Sequence, residues 1–212
     1  MVGPIVIHRC WPCRIPAGIT LRMPAKWPFH VYYGLNIEGA EANRVVIRSD
    51  KADPDAAPGD WQGIEFFGTR PSGGGAIFQS VIDWATIQHA TRALDIEGGD
   101  VTLRDSTVEL YSEVGVAMSP LADGTPATGT LERNTIASGA TPGPPLTTGV
   151  EIFDSDAVIT DENLIQDNRV GIHVRGDSDP EIVGLGDAPP DDYHPNTITA
   201  NRWGIWIEGL GA

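Results

Sequence analysis

The stretch Gly171-Ile172-His173-Val174-Arg175-Gly176 decides the fold, because the chain writes its pattern repeatedly. Gly63-Ile64-Glu65-Phe66, Ala93-Leu94-Asp95-Ile96, Gly115-Val116-Ala117-Met118 and Gly149-Val150-Glu151-Ile152 precede it, and Gly204-Ile205-Trp206-Ile207 follows. Each copy reads small, apolar, variable, apolar, the period-two signature of a strand with one face buried. Copies this short cannot bury their own apolar side chains. Stacked about 4.8 Å apart, they pair every backbone group with the coil on either side and merge their apolar residues into one interior column.

A second series runs in step with the first: Trp84-Ala85-Thr86-Ile87, Asp105-Ser106-Thr107-Val108, Arg133-Asn134-Thr135-Ile136, Glu162-Asn163-Leu164-Ile165 and Pro195-Asn196-Thr197-Ile198. Its second position, Ala85, Ser106, Asn134, Asn163, Asn196, predicts a bend. Asn suits a bend because it tolerates left-handed dihedrals. Stacked Asn amides can also hydrogen-bond along the axis. Thr86, Thr107, Thr135 and Thr197 form a further column that Leu164 interrupts; ordinary strand preference accounts for it. Helix-period stretches are absent. Short strands are expected at 5–7, 19–23, 31–33, 35–37 and 45–47. Residues 1–60 then form a cap and first coils, and 61–212 the repeats, within one continuous domain.

Composition narrows the partners. The net charge is −15, with 29 acidic against 14 basic residues, and the only lysines are Lys26 and Lys51. Such a surface repels phosphate backbones, which excludes nucleic acid as a partner. No apolar run approaches the roughly 18 residues of a membrane-spanning helix. The opening MVGPIVIHRCWPC lacks the basic start and long apolar core of a signal peptide. Cys10 and Cys13, spaced CWPC, suit a local disulfide or two free thiols; a zinc site would need a second cysteine pair.

The Asn-Thr-Ile quartets, the stretches Asn168-Arg169-Val170-Gly171-Ile172 and Asn201-Arg202-Trp203-Gly204-Ile205, and the recurring Gly-Ile strands resemble the right-handed parallel β-helix of the pectin-lyase-like group, with repeats of the PbH1 kind. The lead-in IPAGITL (15–21), LNIEG (35–39), NRVVIRSD (43–50) and GDWQGI (59–64) resembles that of secreted β-helix proteins. The resemblance implies an all-β, single-stranded solenoid at the cell surface or outside it. Its expected partner is a polysaccharide or cell-surface glycan. Polysaccharide lyase or glycoside hydrolase chemistry is the catalytic expectation, and a non-catalytic, adhesin-like module the alternative. In that alternative the open coils make end-to-end contact with the rest of a longer chain or with another subunit. The catalytic series of polygalacturonases and of alginate lyases are both missing, so no family's catalytic set transfers to this chain.

Alternation points one residue of each repeat outward, giving the column Glu65, Asp95, Ala117, Glu151, His173, Trp206. Two residues on, a second column reads Phe67, Glu97, Ser119, Phe153, Arg175, Glu208. Insertions at 69–75, 120–129, 140–147 and 177–195 are expected to wall this face into a groove suited to an extended polymer. Asp95 and Glu151, two coils and about 9–10 Å apart, match the spacing of an inverting carboxylate pair. His173 and Arg175 lie beside Glu151 as assisting groups. Glu65, Glu97, Phe153 and Trp206 complete the substrate-binding set. At the following corner Asp154, Asp156, Asp177 and Asp179 form an oxygen-rich cluster for which calcium is the candidate cation.

Overall fold

The computed structural model describes residues 3–7, 13–68, 79–139, 146–183 and 195–209. It is a parallel β-helix: every third strand joins the same sheet, and all strand pairs are parallel. The first sheet runs Ile5–Ile7, Pro28–Val31, Gly63–Phe67, Arg92–Glu97, Val114–Ser119, Thr148–Phe153, Val170–Arg175 and Trp203–Glu208. The second runs from Cys13–Pro16 to Glu181–Ile182, and the third from Thr20–Met23 to Thr197–Thr199. No described helix is long and apolar enough to cross a membrane.

The three sheets turn their apolar columns toward one interior. Ile64, Leu94, Val116, Val150 and Ile172 stack from the first sheet. Ile37, Ile82, Leu103, Leu131 and Ile159 stack from the second. Ile47, Ile87, Val108, Ile136 and Ile165 stack from the third. All are essentially inaccessible to solvent, and each such side chain contributes roughly 1.5–3 kcal/mol through removal from water. The expected Thr column is also in register, with Thr86, Thr107, Thr135, Leu164 and Thr197 aligned.

The bend series does what stacking requires, with one correction. The left-handed residue is the one before the Asn: Trp84, Asp105, Arg133 and Glu162 have φ of 50°, 50°, 54° and 50°. The Asn side chain is instead turned inward as a hydrogen-bonding rung. Asn134 N–H donates to Asn163 Oδ1 at 2.9 Å, and Asn163 N–H donates to Asn196 Oδ1 at 3.0 Å. Ser106 extends the ladder by donating its N–H to Asn134 Oδ1 at 3.0 Å, and its hydroxyl accepts from Ala85 N–H at 3.0 Å. A corner has backbone groups that no sheet pairs, and a buried amide satisfies them.

Two further corrections concern the first coils. The strand expected at 31–33 lies earlier, at Pro28–Val31, and Cys13–Pro16 adds one more. Residues before Trp61 therefore enter all three sheets in the same order as the later repeats. Cys13 is disulfide-bonded; Cys10 lies outside the described residues.

Candidate functional site

The outer face of the first sheet holds the expected columns in register. Glu65 pairs with Asp95, Asp95 with Ala117, Ala117 with Glu151, Glu151 with His173, and His173 with Trp206. Phe67, Glu97 and Ser119 align beside the first part of that line, and Phe153, Arg175 and Glu208 beside the last. Parallel pairing carries each side chain about 4.8 Å along the axis per coil. Of the expected walls, 69–75 lies outside the described residues, as do 140–145 and 184–194.

On its third and fourth strands the face carries a hollow. A volume of about 140 Å³ is lined by Glu65, Phe67, Asp95 and Glu97. His30 extends the outward column by one coil, and its Nε2 lies 2.9 Å from Glu65 Oε2. Tyr32 stacks on Phe67 with ring centroids 4.8 Å apart, which makes an aromatic side wall. Burial pushes the Glu65 carboxyl above its usual range, against the pull of His30, and the charges of Asp95 and Glu97 push the same way as burial. Asp100, close by at the corner beyond Phe67 and Gly68, is also raised by burial.

The expected pair Asp95 and Glu151 is separated by Ala117, whose short side chain leaves a gap in the column. Arg92 lies across it. Its Nε bonds Asp95 Oδ2 at 2.8 Å, a second nitrogen reaches Asp95 Oδ1 at 3.3 Å, and a third lies 3.7 Å from Glu151 Oε2. Glu151 Oε1 faces Arg175 at 2.8 Å and His173 Nδ1 at 4.0 Å. The two carboxylates thus face guanidinium groups rather than an open water site. His173 Nε2 lies 3.3 Å from Glu208 Oε2 but in an orientation that makes no hydrogen bond. The imidazole stacks on Trp206 at 4.9 Å and 19°.

The aspartate corner is a backbone ladder. Asp154 Oδ1 accepts the Asp177 N–H at 2.8 Å, and Asp156 Oδ1 accepts the Asp179 N–H at 3.3 Å. Between them Ser155 N–H donates to Ser178 Oγ at 3.2 Å. Among the described residues no three His, Cys, Asp or Glu side chains gather as a metal group. Carboxylates so engaged cap the corner, as Asp does in turns.

Two residues of the face escaped the sequence. Arg92 sits three positions before Asp95, outside the repeat frame read for outward residues. His30 belongs to Pro28–Val31, which starts three residues before the strand expected at 31–33; aligning Phe29-His30-Val31 with Ile64-Glu65-Phe66 identifies it. The chain matches no family model, no curated protein and no solved structure.

Proposed function

We propose that the chain binds an extended polysaccharide along the outer face of the first sheet and hydrolyses it at the hollow, with Glu65 as the general acid. The observation that carries this is the hollow itself. A carboxyl raised by burial, two further carboxylates and an aromatic wall converge on it. A carboxyl raised above its usual range beside further carboxylates is the arrangement glycosidic cleavage uses. Glu65 donates a proton to the leaving oxygen as the glycosidic C–O bond breaks, and a solvent water adds to the anomeric carbon while giving its proton to the second carboxylate. Asp95 and Glu97 are the carboxylates available for the second role, and Glu97, exposed and in no ion pair among the described residues, is the freer of the two. The disulfide at Cys13 suits a protein working at the cell surface or outside it.

A second reading is a non-catalytic surface module. It is favoured by Arg92, which bonds Asp95 and reaches Glu151, so that part of the face neutralises itself. A panel of polysaccharides separates the two. Hydrolysis is expected for the wild type and a loss of about 10²–10⁴-fold for Glu65→Gln, while Glu151→Gln retains turnover. Binding without turnover on any substrate leaves the surface module.

A further inference from the structure

Glu65 stands between a basic group on one side and an acidic one on the other. In the register of the first sheet His30, Glu65 and Asp95 occupy successive strands of one outward column. The imidazole Nε2 lies 2.9 Å from Glu65 Oε2. Arg92, the cation nearest along the column, is engaged elsewhere: it bonds Asp95 and reaches Glu151. Among the described residues His30 is the basic group in contact with the Glu65 carboxyl.

The imidazole is itself held. It stands nearly perpendicular to two rings, Tyr32 at 6.0 Å and 84° and Phe67 at 5.5 Å and 83°. Those rings stack on each other at 4.8 Å, so they form a fixed frame for it. On its other side the register partner is Val6, which carries no charge. The titratable groups facing His30 are thus Glu65 on the next strand and Tyr32 on its own stretch of chain, with Asp95 and Glu97 one strand further.

A group framed in this way fixes the carboxyl it touches. His30 takes Oε2 of Glu65, which leaves Oε1 for the proton the acid gives up. As that O–H bond breaks, the charge left on the carboxyl faces the imidazole at contact distance, where a protonated ring stabilises it most.

We propose that His30 is the positioning residue of Glu65: it seats the carboxyl at the hollow, leaves Oε1 free for proton transfer and stabilises the carboxylate left behind. This rests on the hydrolytic reading of the hollow and adds the residue that governs its acid. The imidazole pulls the Glu65 carboxyl down against burial, Asp95 and Glu97. Without His30 the carboxyl therefore rises further, and the fall of turnover with pH moves to higher pH.

The test uses the full chain with glutamate isotope-labelled at the side-chain carboxyl, and Glu65 is assigned as the resonance that Glu65→Gln loses. In His30→Leu this carboxyl is expected to titrate at higher pH than in the wild type. His30→Gln offers an amide nitrogen near the place of Nε2 but no charge, so its carboxyl also titrates higher. On the polysaccharide that the wild type hydrolyses, kcat is expected to fall about 10²-fold in His30→Leu with KM changed little. His30→Gln is expected to recover most of that loss, and in both variants turnover falls at higher pH than in the wild type. A merely structural role moves neither the titration nor the pH profile. Where His30→Leu fails to fold, His30→Gln carries the titration and the pH profile alone. A Glu65 titration unchanged or lowered in the variants, or a kcat of His30→Leu equal to that of the wild type, overturns this inference and leaves the hydrolytic reading standing. A wild type that hydrolyses no member of the polysaccharide panel overturns both.

Discussion

His30 Nε2 lies 2.9 Å from Glu65 Oε2, across one strand step of the first sheet. The Glu65 carboxyl is nonetheless raised, because burial and the neighbouring Asp95 and Glu97 outweigh the imidazole. A raised carboxyl favours the folded state below its unfolded value of 4.5, and that contribution is lost as the pH rises through the folded value. Glu65→Gln should therefore gain thermal stability over the wild type at neutral pH, with the gain shrinking to nothing below about pH 4. Melting curves across pH check this; a pH-independent difference refutes it. On the hydrolytic function proposed for the hollow, turnover should fall over the same rise in pH, since Glu65 would lose its proton.

Asn163 is a rung with both ends engaged. Its Oδ1 accepts from Asn134 Nδ2 at 3.0 Å, and its Nδ2 donates to Leu131 O at 2.9 Å and to Asn196 Oδ1 at 2.8 Å. Asn163→Ala strands these buried groups and should destabilise by roughly 2–4 kcal/mol. Urea unfolding measures it. Thr107→Ala, on the outer surface of the third sheet, should change stability by less than about 1 kcal/mol.

Gly171 leaves no room for a side chain. A Cβ there would lie 2.5 Å from Gly204 O and 2.8 Å from Ile198 Cγ2. Gly171→Ala forces the strand off its neighbour and should cost about 1–3 kcal/mol. If the variant melts with the wild type, the close approach of the coils is not as described.

His89 is buried, and its Nδ1 makes no hydrogen bond. Burial, then Arg48, lower its pKa, while Asp60, Asp53 and Glu109 raise it by less. A depressed imidazole supports the fold above its unfolded value of 6.5, and that support is lost as the pH falls below it toward the folded value. His89→Leu should flatten the stability profile in this window. Stability followed by denaturant midpoint from pH 7 to 5 shows whether the slope belongs to His89.

The repeating part of the fold was legible because stacking repeats one physical constraint at every coil. Inward residues must be apolar, outward ones are free, and a corner must satisfy its backbone groups. Those constraints leave a period, and the period yields the register of Glu65, Asp95, Glu151 and His173. The pairings among side chains were not legible. Arg92 reaches Glu151 over Ala117 by its length and flexibility, and no periodic rule encodes the direction of a long side chain. Nor was the hollow legible, since it arises from the width between Phe67 and the carboxylates rather than from any one residue. The ladder Asn was found for a reason only half right: its amide rather than its backbone dihedral makes it needed.

The register of the first sheet is unbroken from Pro28–Val31 to Trp203–Glu208, although the coils differ in length. Extra residues leave at the corners and return without shifting the columns. The face is therefore a ruler with a fixed graduation of about 4.8 Å. Removing the coil that carries Ala117 would bring Glu151 one graduation closer to Asp95 and leave both side chains on the outer face. A chain built this way can change the spacing between two groups on this face by whole coils, with the chemistry of each held constant.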